Sequence, residues 1–253
     1  MKKIVGIKFG IASDEHVRRH SVCPVAVSTI YEKNLPKNDG LNDVRMGTVD
    51  RRIRCGTCGH SVLDCIGHHG HHTLQTPCYH PCFVDKLYKV LRVVCYFCSN
   101  LLVTDVPASA AELSGKDRFH YMTGTSAKVR KECPECNAPQ PSFSRQKSVI
   151  KIDWPEKVLE KLEPHEREEV VKVKFNPYKA WLVMRTIKDD DCAQLGIDHE
   201  MAHPETYIIR TLLVPPPCIR PSIMVTEGSI LGGSGMWIWY LFCRSTLPRT
   251  IGK

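Results

Sequence analysis

A chain of 253 residues is long enough to bury a core in one or two domains, and 42% apolar with 25% charged residues is the balance of a globular protein, which argues against a disordered or fibrous chain. The net charge of +8 suits a polyanionic partner, and thirteen cysteines, an odd number with six of them in C-x-x-C pairs, favour metal in a reducing compartment over a disulfide framework. The apolar run after Met1 is too short for a signal peptide and no stretch has the length of a membrane span, so the expectation is a soluble intracellular protein with no membrane partner.

In chain order, Ile4 to Ile11 alternates with β-branched residues and predicts a strand ending near Gly10. Ser13-Asp-Glu-His-Val-Arg-Arg19 predicts a short helix capped by Ser13, with acids in its first turn. Val25 to Tyr31 reads as a second strand, and Pro36 to Asp43 as a polar turn. Then Cys55-Gly-Thr-Cys58 and Cys65-Ile-Gly-His68 place two ligand pairs six residues apart. Each pair has the two-residue gap that lets both side chains reach one ion from a tight turn. Three thiolates and one imidazole fit a closed structural zinc site, and Gly59 tolerates the positive φ that such a turn requires. His69, His71, His72, Cys78 and Cys82 are surplus ligands beside it; His68 is preferred because it keeps the two-residue gap.

Phe83, Leu87, Val90, Leu91 and Val94 recur at three- and four-residue steps and predict an amphipathic helix, with Lys86, Lys89 and Arg92 elsewhere on its surface. Those cations suit either a solvated face or nucleic-acid contact. Cys95-Tyr-Phe-Cys98 and Cys133-Pro-Glu-Cys136 predict a second zinc site that staples a long excursion, with Asn137 suited to a left-handed position. Zinc supplies roughly 10–16 kcal/mol in small modules, well above the few kcal/mol that closing such a loop costs. A strand-like stretch from Lys147 to Ile152 and a short helix from Pro155 to Leu162 follow, and Asn176-Pro177 opens a further helix with Asn as cap. Asp189, Asp190 and Asp191 read as the start of a short helix stopping at Gly196 rather than as a metal cluster. Cys23, Cys192 and Cys218 read as small buried apolar residues, and no cysteine has the partners of a catalytic nucleophile. Pro215, Pro216 and Pro217 lack backbone donors and predict a stiff, extended strap.

Ile7-Lys-Phe-Gly-Ile-Ala-Ser13, Gly40-Leu-Asn-Asp-Val-Arg-Met-Gly-Thr48, the C-x-x-C-x6-C-x-G-H motif, Pro77-Cys-Tyr-His80 and the proline strap before Ser222 resemble, in that order, the opening of the largest subunit of eukaryotic-type multisubunit RNA polymerases. The resemblance covers about nine tenths of the chain, residues 4–229, and is nearest to a polymerase II-like enzyme of cellular or large-DNA-virus origin. It implies an α+β, irregular, zinc-stabilised clamp domain of short helices and small antiparallel sheets. The implied divisions are a clamp-core segment over 1–50, a zinc-binding head with two sites over 51–145, clamp-core helices and strap over 146–229, and a divergent tail over 230–253. The implied role is to help hold template DNA and the RNA–DNA hybrid, beside the second-largest and other polymerase subunits, in the nucleus or alternatively in a viral factory or virion. Arg51, Arg52, Arg54, Lys86, Lys89 and Arg92 are the candidate phosphate contacts. The family's catalytic N-A-D-F-D-G-D loop is absent, so no catalytic residue is expected here; Mg²⁺ belongs to the complete enzyme, and this chain alone is expected to be inactive.

The tail departs from the family pattern at Ile230, and Trp237 to Phe242 is an apolar run too short to cross a bilayer; a frame change, an unspliced intervening sequence or a split gene is the expectation. Two rivals from other classes are a cross-braced RING-like ubiquitin ligase and a sequence-reading zinc finger. Interleaved ligand pairing would favour the first, and a recognition helix flanked by ligands the second.

Overall fold

The computed structural model describes residues 3–33, 35–103, 113, 115–124, 128–146, 149–159, 175–220, 222–226 and 229–232. The chain divides into two units, Ser13–Thr76 with Arg210–Lys253, and Met1–Ala12 with Pro77–Ile209. Short helices and two-stranded sheets make up the described residues, and three of those sheets, the pairs Tyr31–Glu32 with Leu35–Pro36, Ser142–Gln146 with Val149–Asp153, and Ser222–Thr226 with Ser229–Gly232, are antiparallel. The α+β expectation holds. Among the described residues, no helix is long and apolar enough to cross a membrane.

In the first unit, Ser13 caps the helix Asp14–His20 by accepting from the His16 N–H at 3.2 Å, and Val17 is the residue that this helix buries. Cys23, Val25, Leu41, Met46 and Val214 form the core. The strand expected over Val25 to Tyr31 does not form. Val25 donates to His71 beside a single bridge at Pro24, and Ala26 and Val27 both donate to the Asp39 carbonyl. The pairing stops there because the Val25 carbonyl is taken by His72 Nδ1 at 2.7 Å and Val27 donates to Asp39 instead of to the neighbouring strand. Only Tyr31–Glu32 is strand. Asp43, fully buried, holds the turn before it: its carboxylate accepts from the Asp39 N–H at 2.6 Å and from Arg45 Nη2 at 2.6 Å. Arg220, from beyond the proline strap, is also buried and donates to the carbonyls of Leu41 and Pro215.

In the second unit, the helix Val84–Val93 turns Leu87, Val90, Leu91 and Val93 into a core shared with Met122, Ile150, Met184, Leu195 and Tyr207. Asn176 caps the helix Pro177–Arg185 through a 3.0 Å bond from the Tyr178 N–H, as its sequence predicts. The strand-like stretch after Lys147 is Val149–Asp153, and its partner is the preceding Ser142–Gln146. The short helix after Pro155 is Glu156–Leu159; the remainder of that expectation, residues 160–162, lies outside the described residues. Asp189–Gln194 is a helix with its acids in the first turn, ended by Gly196 at φ +76°.

The strand expected over Ile4 to Ile11 does not form either. Ile4, Val5, Ile7 and Phe9 are 81–99% exposed, and the segment is fastened by an ion pair from Lys8 to Asp198 at 2.6 Å and by the Ile11 N–H to the Met201 carbonyl. Alternating apolar residues make a strand only where another strand satisfies their backbone, and none of the described residues does so here. In the tail, Ser229–Gly232 pairs with Ser222–Thr226, while Trp237 to Phe242 lies outside the described residues.

Candidate metal centres

Three short turns are built alike. In each, the N–H of a cysteine donates to the carbonyl five residues on, and the residue four on donates back to the cysteine carbonyl. The pairs are Cys55 with His60 and Gly59, Cys95 with Asn100 and Ser99, and Cys133 with Ala138 and Asn137. The fifth position is left-handed every time, at φ +71° for Gly59, +60° for Ser99 and +52° for Asn137. This geometry turns main-chain donors onto sulfur: Thr57 N–H lies 3.4 Å from Cys55 Sγ, and Phe97 and Cys98 N–H lie 3.4 and 3.5 Å from Cys95 Sγ. Hydrogen bonds of this kind favour the thiolate, the form that binds metal.

The first cluster joins the Cys55 turn to Cys65 and His68. Ser61 shapes the approach, its carbonyl accepting from the Cys65 N–H and its hydroxyl donating to Asp64. Gly67, at φ +84°, has to be glycine: a Cβ there would lie 2.7 Å from Pro216 and 2.8 Å from Cys218 Sγ. The ligand atoms of Cys55, Cys58, Cys65 and His68 all lie within 4.8 Å of one another. The Cys58 and Cys65 sulfurs are 3.6 Å apart, close to the roughly 3.8 Å edge of a tetrahedron with 2.3 Å zinc–sulfur bonds and far beyond the ~2.05 Å of a disulfide. His68 Nε2 is buried and has no hydrogen-bond partner. A buried, unpaired imidazole nitrogen beside three thiols is costly unless it ligates an ion. The residues fit a metal.

Cys95, Cys98, Cys133 and Cys136 make the second cluster, again within 4.8 Å, with sulfur separations of 3.7 Å for Cys95 to Cys136 and 3.5 Å for Cys98 to Cys133. Burial disfavours the Cys133 thiolate, but the N–H groups of Cys136 and Glu135 and the neighbouring thiols outweigh it and bring this thiol down to about 7. Burial and the thiols around it push Cys98 up to about 12 against the Asn100 N–H. Cys65 of the first cluster is pushed up to about 11 by burial and its own neighbours. Two residues outside the ligand sets complete this centre. Gln140 donates to Cys95 Sγ at 3.3 Å while accepting from the Tyr96 N–H, and Asn100 donates to Cys98 Sγ at 3.5 Å. No spacing of residue types marks either of them.

The surplus ligands stand aside. His71 Nδ1 is 2.7 Å from Ser21 Oγ, His72 Nδ1 is 2.7 Å from the Val25 carbonyl, and neither they nor His69, Cys78 and Cys82 join a cluster. Cys23 and Cys192 are buried as expected, which pushes their thiols up to about 11 and 12. Cys218 is not: it is exposed, its Sγ 3.9 Å from the Ile66 carbonyl, because the strap after Val214 lays it over Gly67 rather than into a core. Pairing in both clusters is sequential, C-x-x-C with the next pair along the chain, and not cross-braced.

The cations fall in two sets. Arg51, Arg52 and Arg54 are exposed on the loop that enters the first cluster, with Arg52 paired to Asp50 at 3.3 Å and Arg54 donating to the Gly59 carbonyl. On the helix Val84–Val93, Lys86 lies over Phe83, Lys89 pairs with Asp85 at 3.3 Å, and Arg92 lies over Tyr88.

Comparison with known proteins adds a family. Residues 1–231 match the family described as RNA polymerase Rpb1, domain 1. The chain is 30% identical over 236 residues to the DNA-directed RNA polymerase II subunit RPB1 of Euplotoides octocarinatus, covering 88% of this chain and 48% of that one. It is 33% identical over 239 residues to the DNA-directed RNA polymerase subunit Rpo1N of Thermococcus celer, covering 90% and 26%. With the Rpo1N of Methanothermobacter thermautotrophicus strain Delta H the identity is 32% over 240 residues, covering 90% and 25%. The chain thus spans between a quarter and a half of the length of these relatives.

Proposed function

The chain belongs to the RNA polymerase Rpb1 domain 1 family, and from that premise we propose that it serves as the amino-terminal clamp portion of the largest subunit of a DNA-directed RNA polymerase. The supporting observation is that the family match runs across both four-ligand clusters and extends to the proline strap. In this reading the clusters hold zinc, with Cys55, Cys58, Cys65 and His68 at one ion and Cys95, Cys98, Cys133 and Cys136 at the other. The ions do no chemistry. They fix loops that have little apolar core of their own, so that the clamp moves as a stiff body.

Arg51, Arg52 and Arg54, and secondarily Lys86, Lys89 and Arg92, supply sequence-independent attraction for the phosphates of template DNA and of the RNA–DNA hybrid. Nucleotidyl transfer belongs to the assembled polymerase, whose paired Mg²⁺ ions would be held outside this chain; the chain alone is inactive. Its partners are the second-largest and other polymerase subunits. The site of action is the nucleus, or a viral factory if the source is viral. Co-expression with the second-largest subunit of the same source tests the assignment: the two should co-purify at a fixed ratio through a high-salt wash. A chain that stays apart while that subunit still assembles with a full-length largest subunit would overturn it.

A further inference from the structure

We propose that His16 and His20 form a third metal site, open to solvent and distinct from the two cysteine clusters, for a divalent ion of the kind that imidazole prefers, Ni²⁺, Cu²⁺ or Zn²⁺. Both residues lie on the helix Asp14–His20, four positions apart, and both are exposed. That interval brings two side chains onto one helical face one turn apart, and it is the interval by which helical H-x-x-x-H motifs grip zinc. The rings already face each other, with centroids 4.2 Å apart and planes inclined by 27°.

The second observation concerns the proton. His20 Nδ1 lies 2.9 Å from the His16 carbonyl oxygen, which can only accept, so Nδ1 carries the hydrogen and the lone pair is left on Nε2. A ring that donates one nitrogen to a carbonyl while offering the other is the usual state of a metal-binding histidine, and the donation fixes both its tautomer and its orientation. The charges around it are compatible. Glu15 neutralises Arg19 through a 2.6 Å ion pair, and the end of the helix carries the partial negative charge that favours a cation; Arg18, 3.4 Å from Thr73 Oγ1, is the one neighbour on the helix that opposes it.

Two imidazoles leave the rest of the coordination sphere to water. Such a site exchanges its ion readily, unlike a closed four-ligand cluster, and takes up metal only after both clusters are full. A preparation given excess metal would therefore carry more than the two ions expected of its cysteines.

Equilibrium dialysis of the full 253-residue chain tests this. The chain is first loaded with two equivalents of zinc, freed of excess, and then titrated with Ni²⁺ alone while zinc is counted. One equivalent of nickel should bind without release of zinc. His16→Ala and His20→Ala should each weaken it at least tenfold, because either change destroys the chelate, whereas His199→Ala, at another exposed helical histidine, should leave it unchanged. Circular dichroism shows that each variant remains folded. Nickel binding that survives in the His16→Ala/His20→Ala double variant, is lost with His199→Ala instead, or is absent from the parent chain overturns the proposal.

Discussion

The Ser99 hydroxyl donates to the Val183 carbonyl at 2.9 Å, so the left-handed residue of the Cys95 turn is tied to the helix Pro177–Arg185 from 84 positions away. The contact is buried, and it joins the second cluster to the main core of its unit. Ser99→Ala should therefore destabilise the metal-loaded chain by about 0.5–1.5 kcal/mol, the net worth of one hydrogen bond, without altering metal content, because the Val183 carbonyl keeps the Thr186 hydroxyl as a donor at 3.1 Å. Urea unfolding beside zinc analysis would check both halves. A loss of zinc with unchanged stability would show that the bond serves the turn and not the docking.

Metal analysis of refolded chain without excess zinc should give two ions. Cys55→Ser or Cys65→Ser should remove one of them and unfold the first unit, because replacing one ligand leaves a cluster that cannot close. Cys218→Ser should cost no more than about 0.5 kcal/mol, since that thiol is exposed and outside both clusters. Cys192→Ser should cost more, about 1–3 kcal/mol, because it sets a hydroxyl in a fully buried apolar position.

The acid limb of stability should carry a contribution from Asp43. Burial alone would raise its pKa, but hydrogen bonds from the Arg45 side chain and from the backbone N–H groups of Arg45 and Asp39 outweigh burial and hold it below the ordinary carboxylate value. A depressed folded-state pKa means that the stabilisation is complete above the unfolded value, about 3.9, and is lost as pH falls through the lower folded value. Asp43→Asn should flatten that part of a stability–pH curve. At neutral pH it should cost about 1–3 kcal/mol, less than breaking a fully buried pair, because 36% of the Arg45 side chain stays in water. Parallel curves for the two proteins below pH 4 would refute the assignment.

Binding to duplex DNA should weaken as salt is raised, and Arg51→Ala, Arg52→Ala and Arg54→Ala combined should reduce the log–log salt slope by about 0.9 for each phosphate contact removed. Arg52 is already engaged with Asp50, so its share should be the smallest of the three. An unchanged slope in the triple variant would move the contact elsewhere on the chain.

What the sequence made legible was local. The two-residue gaps of the metal clusters, the Ser13 and Asn176 caps and the apolar stripe from Phe83 to Val94 are each set by neighbours within a few positions, and each is present in the structure. Gly59 and Asn137 could be assigned to left-handed positions because those residue types favour them; Ser99 does the same work with a residue type that gives no such signal. The strand expected at Ile4 fails because pairing depends on a distant partner, and the one at Val25 because the Val25 carbonyl is taken by the His72 ring and Val27 by the Asp39 carbonyl. Exposure of Cys218 follows from where the strap lies, which spacing does not encode. The two-residue gap alone singles out His68 from three neighbouring histidines, and its buried, unpartnered Nε2 supplies a physical reason that spacing does not carry.

The shared backbone of the Cys55, Cys95 and Cys133 turns makes them portable cassettes. Their internal bonds are drawn from main chain, so the turn itself demands little of the letters between the first and fourth residues. Thr57, whose hydroxyl donates to the Arg45 carbonyl at 2.7 Å, is an inner letter tied to a residue outside its turn. Sequences of this kind can drift far apart at those inner letters while the ion keeps its seat, and transplanting Cys95–Asn100 in place of Cys55–His60 is the swap that this fold should tolerate.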